Sequence, residues 1–109
     1  MTEPPSIPIR PLGILKPLLE SLGYQVTHCY EDLVFIEHNA FLLRMEEKGE
    51  EISLFFNCES EPDKRPGIAE TLADAGKHSR LTITRLGTYR LMPNTADNTL
   101  SLEFRENQM

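Results

Sequence analysis

The stretch from Phe41 to Phe56 constrains the fold of this chain more than any other, because it has the pattern of a β-hairpin turning at Lys48-Gly49. Folding its two halves about that pair brings three apolar pairs opposite each other: Phe41 with Phe56, Leu43 with Leu54 and Met45 with Ile52. One face is therefore apolar at each of these rungs, as the buried face of an antiparallel pair requires.

The second face of the predicted sheet is also rich in apolar residues. Leu42 lies opposite Phe55 there and Arg44 opposite Ser53, while the preceding strand brings Phe35 beside Leu42 and Leu33 beside Arg44. A face meant wholly for water would not carry this row, so we expect something to cover it. The chain's own arm, tail or helix covers it, or it is a partner surface. The candidate partner-binding residues are Leu33, Phe35, Leu42, Arg44 and Phe55.

Two more strands are predicted before the hairpin, at residues 24–29 and 33–38. A three-residue loop between them pairs Val26 with Ile36 and His28 with Val34, whereas a two-residue loop places His28 opposite Phe35. We favour the first register, because it hides more apolar surface on one side of the sheet.

The leucines between Leu12 and Leu22 follow helical spacing. Pro17 interrupts that pattern, because a mid-helix proline removes a hydrogen bond and clashes one turn back. We therefore favour a short helix that starts near Lys16, the alternative being one that starts near Pro11 and bends at Gly13.

A second helix is predicted from Pro66 to His78, followed by strands at 81–84, 89–92 and 99–104 with a bulge or bend at Gly87. The predicted fold class is therefore α+β. It has an antiparallel β-meander sheet with an N-terminal helix and a second helix inserted before the last strands. The 109 residues form one domain, with an extended proline-rich arm at 1–11 and a frayed tail at 105–109.

Charge and hydropathy exclude several kinds of partner. Asp and Glu number 17 against 11 Lys and Arg, for a net charge of -6, and such an excess repels a phosphate backbone. We therefore expect no nucleic-acid partner. No apolar run approaches the roughly 20 residues that span a bilayer, and no secretory signal pattern is visible. We expect a cytoplasmic protein without membrane contact.

The sequence holds no motif for catalysis, and we expect a protein that is not an enzyme and needs no cofactor. Cys29 and Cys58 lack the surroundings that lower a thiol pKa, so we expect buried or half-buried, reduced and inert thiols. The histidines and cysteines lack metal-ligand spacing, and no metal site is expected. The glutamates that flank Lys48-Gly49 are interpreted as a solubilising hairpin tip.

Four stretches give the chain a resemblance to a known fold: residues 18–26, 33–38, 41–57 and 66–76. Their order along the chain is similar to that of type III secretion chaperones and YbjN-type bacterial proteins. Those families usually have a further C-terminal helix, which this sequence lacks. The resemblance implies a small, acidic, non-catalytic cytosolic protein, often dimeric, that offers an apolar surface to another polypeptide.

Two functions follow as expectations. The first is a non-enzymatic protein-binding module, chaperone-like or adaptor-like, whose apolar sheet face meets a partner polypeptide or a second copy in a homodimer. The second is a small-ligand-binding protein or enzyme with a pocket between helix and sheet, where Tyr24, His28 and Arg44 would supply polar contacts. A third possibility is a subunit that dimerises only to complete its own core.

Overall fold

The computed structural model of the protein describes residues 12–47, 49–94, 96 and 99–106. In these residues the chain forms the helices α1 (Leu12–Ser21) and α2 (Arg65–His78) and the strands β1 (Val26–Tyr30), β2 (Leu33–Ile36), β3 (Phe41–Met45), β4 (Glu51–Asn57), β5 (Thr82–Asn94) and β6 (Thr99–Glu106). The predicted arm at 1–11 lies outside the described residues, as do the last three residues of the predicted tail. Arg105 and Glu106, the first two residues of that tail, belong to β6.

The six strands form one sheet in chain order. The first four are an antiparallel meander, β4 and β5 run parallel, and β5 and β6 are antiparallel again. The parallel pair follows from α2, because a helix between two neighbouring strands returns the chain to the end of the sheet where it started. This α+β architecture confirms the predicted fold class.

The central hairpin has the predicted register. Phe41 faces Phe56, Leu43 faces Leu54 and Met45 faces Ile52, while Leu42 faces Phe55 and Arg44 faces Ser53. Alternation alone placed these residues, because a slip of one residue would move every apolar side chain to the opposite face.

The predicted register between β1 and β2 is wrong beyond its first rung. Val26 pairs with Ile36 as expected, but His28 lies opposite Phe35, as a two-residue loop requires. A bulge at Thr27 absorbs the difference. The His28 ring stacks on Phe35 at 4.4 Å between centroids, so the observed register gains an aromatic contact on the second face.

Helix α1 begins at Leu12, not near Lys16 as favoured from the sequence. Pro17 is the sixth of the ten residues of α1, and it removes the one intrahelical hydrogen bond that its N–H would donate to the Gly13 carbonyl. Leu15 and Leu19 of the same helix are fully buried. Their burial, worth roughly 1.5–3 kcal/mol each, offsets the lost bond.

Both helices pack on the first face of the sheet and enclose the main core. Its buried members include the leucines of α1, Leu72 of α2 and the first-face residues of β2, β3 and β4. Ile68, Ala69 and Ala75 pack against them, on the face of α2 that the sequence predicted. Neither helix of the described residues is long and apolar enough to cross a membrane.

Candidate functional site

The second face of the sheet brings together the five residues predicted to bind a partner. Leu33 pairs with Arg44, Phe35 with Leu42 and Leu42 with Phe55, so the row crosses β2, β3 and β4. This neighbourhood is the one expected from the sequence.

The row is nevertheless mostly hidden within the single chain. Leu42 and Phe55 are fully buried, and Leu33 and Phe35 are each 8% exposed. Arg44 is half-buried. These five residues therefore do not form an apolar face that is open to solvent in the single chain.

Among the described residues, the cover comes from β5 and β6 and not from a helix. Tyr89, Leu86, Leu91, Leu102 and Phe104 complete the second cluster, and no helical residue belongs to it. Side chains of β5 and β6 therefore contribute to burying this side of the sheet. We call the whole group the second-face cluster.

Gly87 allows β6 and its side chains to approach the second face of β4. It lies opposite Phe55 on β4 and Glu106 on β6, next to a register shift in β5. Without a side chain at this rung, the Phe104 ring reaches across β5 and meets Phe55 edge-on, 4.7 Å between centroids. A Cβ at Gly87 would stand 2.0 Å from the Arg105 carbonyl oxygen. The sequence indicated a bulge or bend at Gly87 without indicating which surface it closes.

Tyr89 joins this cluster to the end of β4. Its side chain is almost fully buried, and its backbone carbonyl accepts a hydrogen bond from the Cys58 amide. Burial raises the pKa of the Tyr89 phenol, a hydrogen bond with the Asn57 side chain acts in the opposite direction, and the nearby Cys58 raises it further. Tyr89 therefore stays a neutral phenol at physiological pH and serves as a packing residue.

Arg44 closes one end of the second-face cluster. Its guanidinium lies 4.9 Å from the centre of the Phe55 ring and 5.7 Å from that of Phe104. Its Nε donates to Glu46 Oε2 at 2.6 Å, and the Ser53 hydroxyl donates to the same oxygen at 2.6 Å. Glu46, predicted to belong to a solubilising tip, instead folds back along the sheet and neutralises Arg44. Sequence reasoning missed this contact, although strand alternation places residues two apart, such as Arg44 and Glu46, on the same face.

Burial alone would raise the pKa of the Glu46 carboxyl, but the hydrogen bonds from Ser53 and Arg44 and the Arg44 charge lower it below its ordinary value of 4.5. A carboxyl with a lowered pKa in the folded state stabilises the fold above its unfolded pKa, and that contribution is lost as the pH falls through the folded value. We therefore expect Glu46→Gln to cost about 1 kcal/mol at pH 7 and progressively less below pH 4.5. Urea unfolding at pH 7 and at a pH below 4.5 measures the change in the free energy of unfolding.

Glu47→Gln is the matched control, because it removes the same charge from an exposed neighbouring side chain. Its effect on the free energy of unfolding should be small at either pH. Equal effects of the two substitutions at pH 7 would contradict the role given to the contact between Arg44 and Glu46.

The edge strand β1 is the most open part of the sheet. It has a strand neighbour on one side only within the described residues, and its side chains from Thr27 to Tyr30 are all exposed. Tyr30 is 64% exposed, the most of any large hydrophobic residue described. The strand carries no Asp, Glu, Lys or Arg.

Hydrogen-bond alternation sets which β1 backbone groups face outward. The Asp32 carbonyl accepts from Met45 on β3, whereas Glu37 donates to Gln25 at the β1 side. Alternation between these two bonds directs the N–H and C=O of Val34 toward β3. Cys29, which lies opposite Val34, therefore directs its own N–H and C=O away from the sheet, where another strand could pair with them.

A cleft of about 480 Å³ lies beyond the far end of β4, between the chain after β4 and the start of α2. None of the polar contacts considered for a ligand from the sequence, namely Tyr24, His28 and Arg44, lines it. Arg65 lines this cleft. Its guanidinium donates hydrogen bonds to Ser60 Oγ and to the carbonyls of Asn57, Cys58 and Ser60. Arg65 thus anchors the loop after β4 to the start of α2.

The two cysteines are free but exposed, which corrects the prediction of buried or half-buried thiols. Cys29 is exposed because β1 is an edge strand, and Cys58 because it follows the last residue of β4. Among the described residues, no group of three or more His, Cys, Asp or Glu side chains is placed to hold a metal ion.

The fold and the site define a class of protein: a small α+β protein with one six-stranded sheet, whose second face is closed by side chains of its own strands and whose β1 edge has no strand neighbour among the described residues. No protein-family model, curated protein or solved structure matches the chain.

Proposed function

We propose that the protein is a non-enzymatic protein-binding module that receives an extended polypeptide strand along the β1 edge. The observation that carries the proposal is that β1 is uncharged and exposed and has no strand neighbour on its outer edge in the part of the chain that the structure describes. Strand addition of this kind draws affinity from main-chain hydrogen bonds and specificity from alternate side chains. The outward N–H and C=O of Cys29 supply the first and the exposed Tyr30 the second.

The opposite edge of the sheet supports this choice by contrast. Natural sheets protect edge strands with charged residues and short lengths. Strand β6 carries Glu103, Arg105 and Glu106, whereas β1 carries no charge. The protective features of β1 are its length of five residues and the bulge at Thr27, and the bulge leaves the end around Cys29 regular.

Titration of isotopically labelled protein with a short, capped peptide of alternating threonine and valine tests the proposal by NMR. We expect the amide resonances of His28 to Tyr30 to shift and the Cys29 amide to gain protection from hydrogen exchange. The same peptide with every amide N-methylated should have no effect, because neither of its edges can donate a hydrogen bond to β1.

Two lysine variants with the same charge change separate the edge from a general charge effect. Cys29→Lys places a charge on the open edge and should abolish the peptide response. Cys58→Lys, at the other exposed cysteine, should leave it intact. Resonance changes confined to β6 or to the cleft, or no changes at all, would overturn the proposal.

A further inference from the structure

We infer that the partner strand is the β1 strand of a second copy of this chain, so that two sheets join about a two-fold axis at Cys29. This inference rests on the proposed function. Three observations carry it: the direction of the open backbone groups, the spacing of the acidic side chains beside β1, and the side chains that the axis brings together.

The backbone fixes the register. An antiparallel two-fold pair of identical strands is centred on one residue, which exchanges both of its hydrogen bonds with its own copy if its backbone groups point outward. Cys29 directs its N–H and C=O outward, in the regular part of β1. A pair centred on His28 would place Cys29 opposite Thr27 in the bulge, and a pair centred on Tyr30 would place it opposite Glu31 in the turn. The centre at Cys29 is therefore the one that keeps both bonding residues in regular strand.

Charge permits this pairing although each copy has a net charge of -6. No charged residue lies within β1, and the nearest acid is Glu31, two residues beyond the centre. In the paired sheet the two Glu31 residues would stand about 14 Å apart, at about 3.4 Å per residue. That separation exceeds the screening length of roughly 8 Å at physiological ionic strength. A cationic peptide is the alternative partner, and its binding to β1 would depend on attraction to these glutamates.

Side chains on the second face complement each other across the same axis. His28 and Tyr30 both lie on this face, opposite Phe35 and Leu33. Centring on Cys29 places His28 of one copy beside Tyr30 of the other, twice. The exposed Tyr30 ring then packs at the edge of the stack that His28 already forms with Phe35. The second-face clusters of the two copies become continuous through this contact.

Two single-cysteine variants give a direct test. Paired strands place the two Cys29 Cα atoms about 5.5 Å apart, so Cys58→Ser should form a covalent dimer with a short thiol-to-thiol cross-linker. Cys29→Ser, which keeps only Cys58, should not. Sedimentation velocity should show a reversible dimer whose dissociation constant rises about tenfold or more in Cys29→Lys, and also rises in Tyr30→Ala. Raising the salt concentration should not dissociate it.

The outcomes separate this inference from the proposed function. A chain that binds the threonine-valine peptide at β1 but stays monomeric and uncross-linked keeps the proposed function and overturns the self-pairing. A dimer that persists unchanged in Cys29→Lys or cross-links through Cys58 overturns the register and places the contact elsewhere. A dimer that forms only after removal of residues 1–11 would overturn the inference for the full chain, because the chain's own arm would then occupy the β1 edge. Dissociation of the dimer by the peptide, with Cys58→Lys dimerising normally, is the result we expect.

Discussion

Replacing Phe55 with alanine is expected to lower the free energy of unfolding by about 3–5 kcal/mol, the usual cost of removing a buried phenylalanine. Phe55 is fully buried in the second-face cluster, where it meets Phe104 edge-on and lies under the Arg44 guanidinium. The described members of the cluster all lie on the sheet, so no helix can shift into the space that the Phe55 ring would leave. Urea unfolding followed by circular dichroism measures the change.

Tyr30→Ala is the control on the same face of the sheet, because Tyr30 is 64% exposed. It should change stability by no more than about 0.5 kcal/mol while weakening self-association. Phe55→Asp sharpens the test, since it removes the ring and puts a carboxylate into the apolar second-face cluster, which should abolish the fold at a total stability of about 5–15 kcal/mol. A folded Phe55→Asp monomer would show that Phe55 is a contact residue and would contradict the closed second face.

The parts of the fold that sequence reasoning predicted correctly depend on local alternation. The hairpin from Phe41 to Phe56 has one turn and one pattern on each face, so its register follows from side-chain direction alone. The class of the fold followed in the same way, from the order of helix-periodic and strand-periodic segments. The face of α2 that packs on the sheet followed from its helical spacing.

The parts that sequence reasoning missed depend on contacts between distant segments. The sequence pattern favours pairing His28 with Val34, but the contact of His28 with Phe35 appears only once the bulge at Thr27 is allowed. The late start predicted for α1 treated Pro17 as a local penalty, whereas the buried leucines around it decide the matter.

The candidate site shows the same division. The five second-face residues were grouped correctly from register, but their exposure depends on a hairpin that ends more than fifty residues later, at Glu106. The open β1 edge could be recognised only once the sheet order was known. Its lack of charge is visible in the sequence, yet that feature has no meaning until β1 is seen to be an edge strand.

Gly87→Ala is expected to have a second large effect, a loss of about 3 kcal/mol or more of stability that falls first on β6. A Cβ at this position would stand 2.0 Å from the Arg105 carbonyl oxygen and 2.8 Å from Glu106 Cα, and both are backbone atoms that cannot turn aside. The strands must therefore separate at this rung, and Phe104 would lose its contact with Phe55. Amide exchange should report early loss of protection in β6 while α1 and the central hairpin keep theirs.

Two other glycines make the test quantitative, because the space around them differs. A Cβ at Gly67 would meet nothing within 4 Å, so Gly67→Ala in α2 should leave stability unchanged or raise it by up to about 1 kcal/mol. A Cβ at Gly76 would stand 2.9 Å from the Leu81 carbonyl oxygen and 3.0 Å from an Ile83 side chain, so Gly76→Ala should fall between the two. The order Gly67, Gly76, Gly87 in increasing cost follows from these distances. Wild-type stability in Gly87→Ala would mean that β5 and β6 do not pair at this rung, and the cover of the second-face cluster would then have to come from elsewhere.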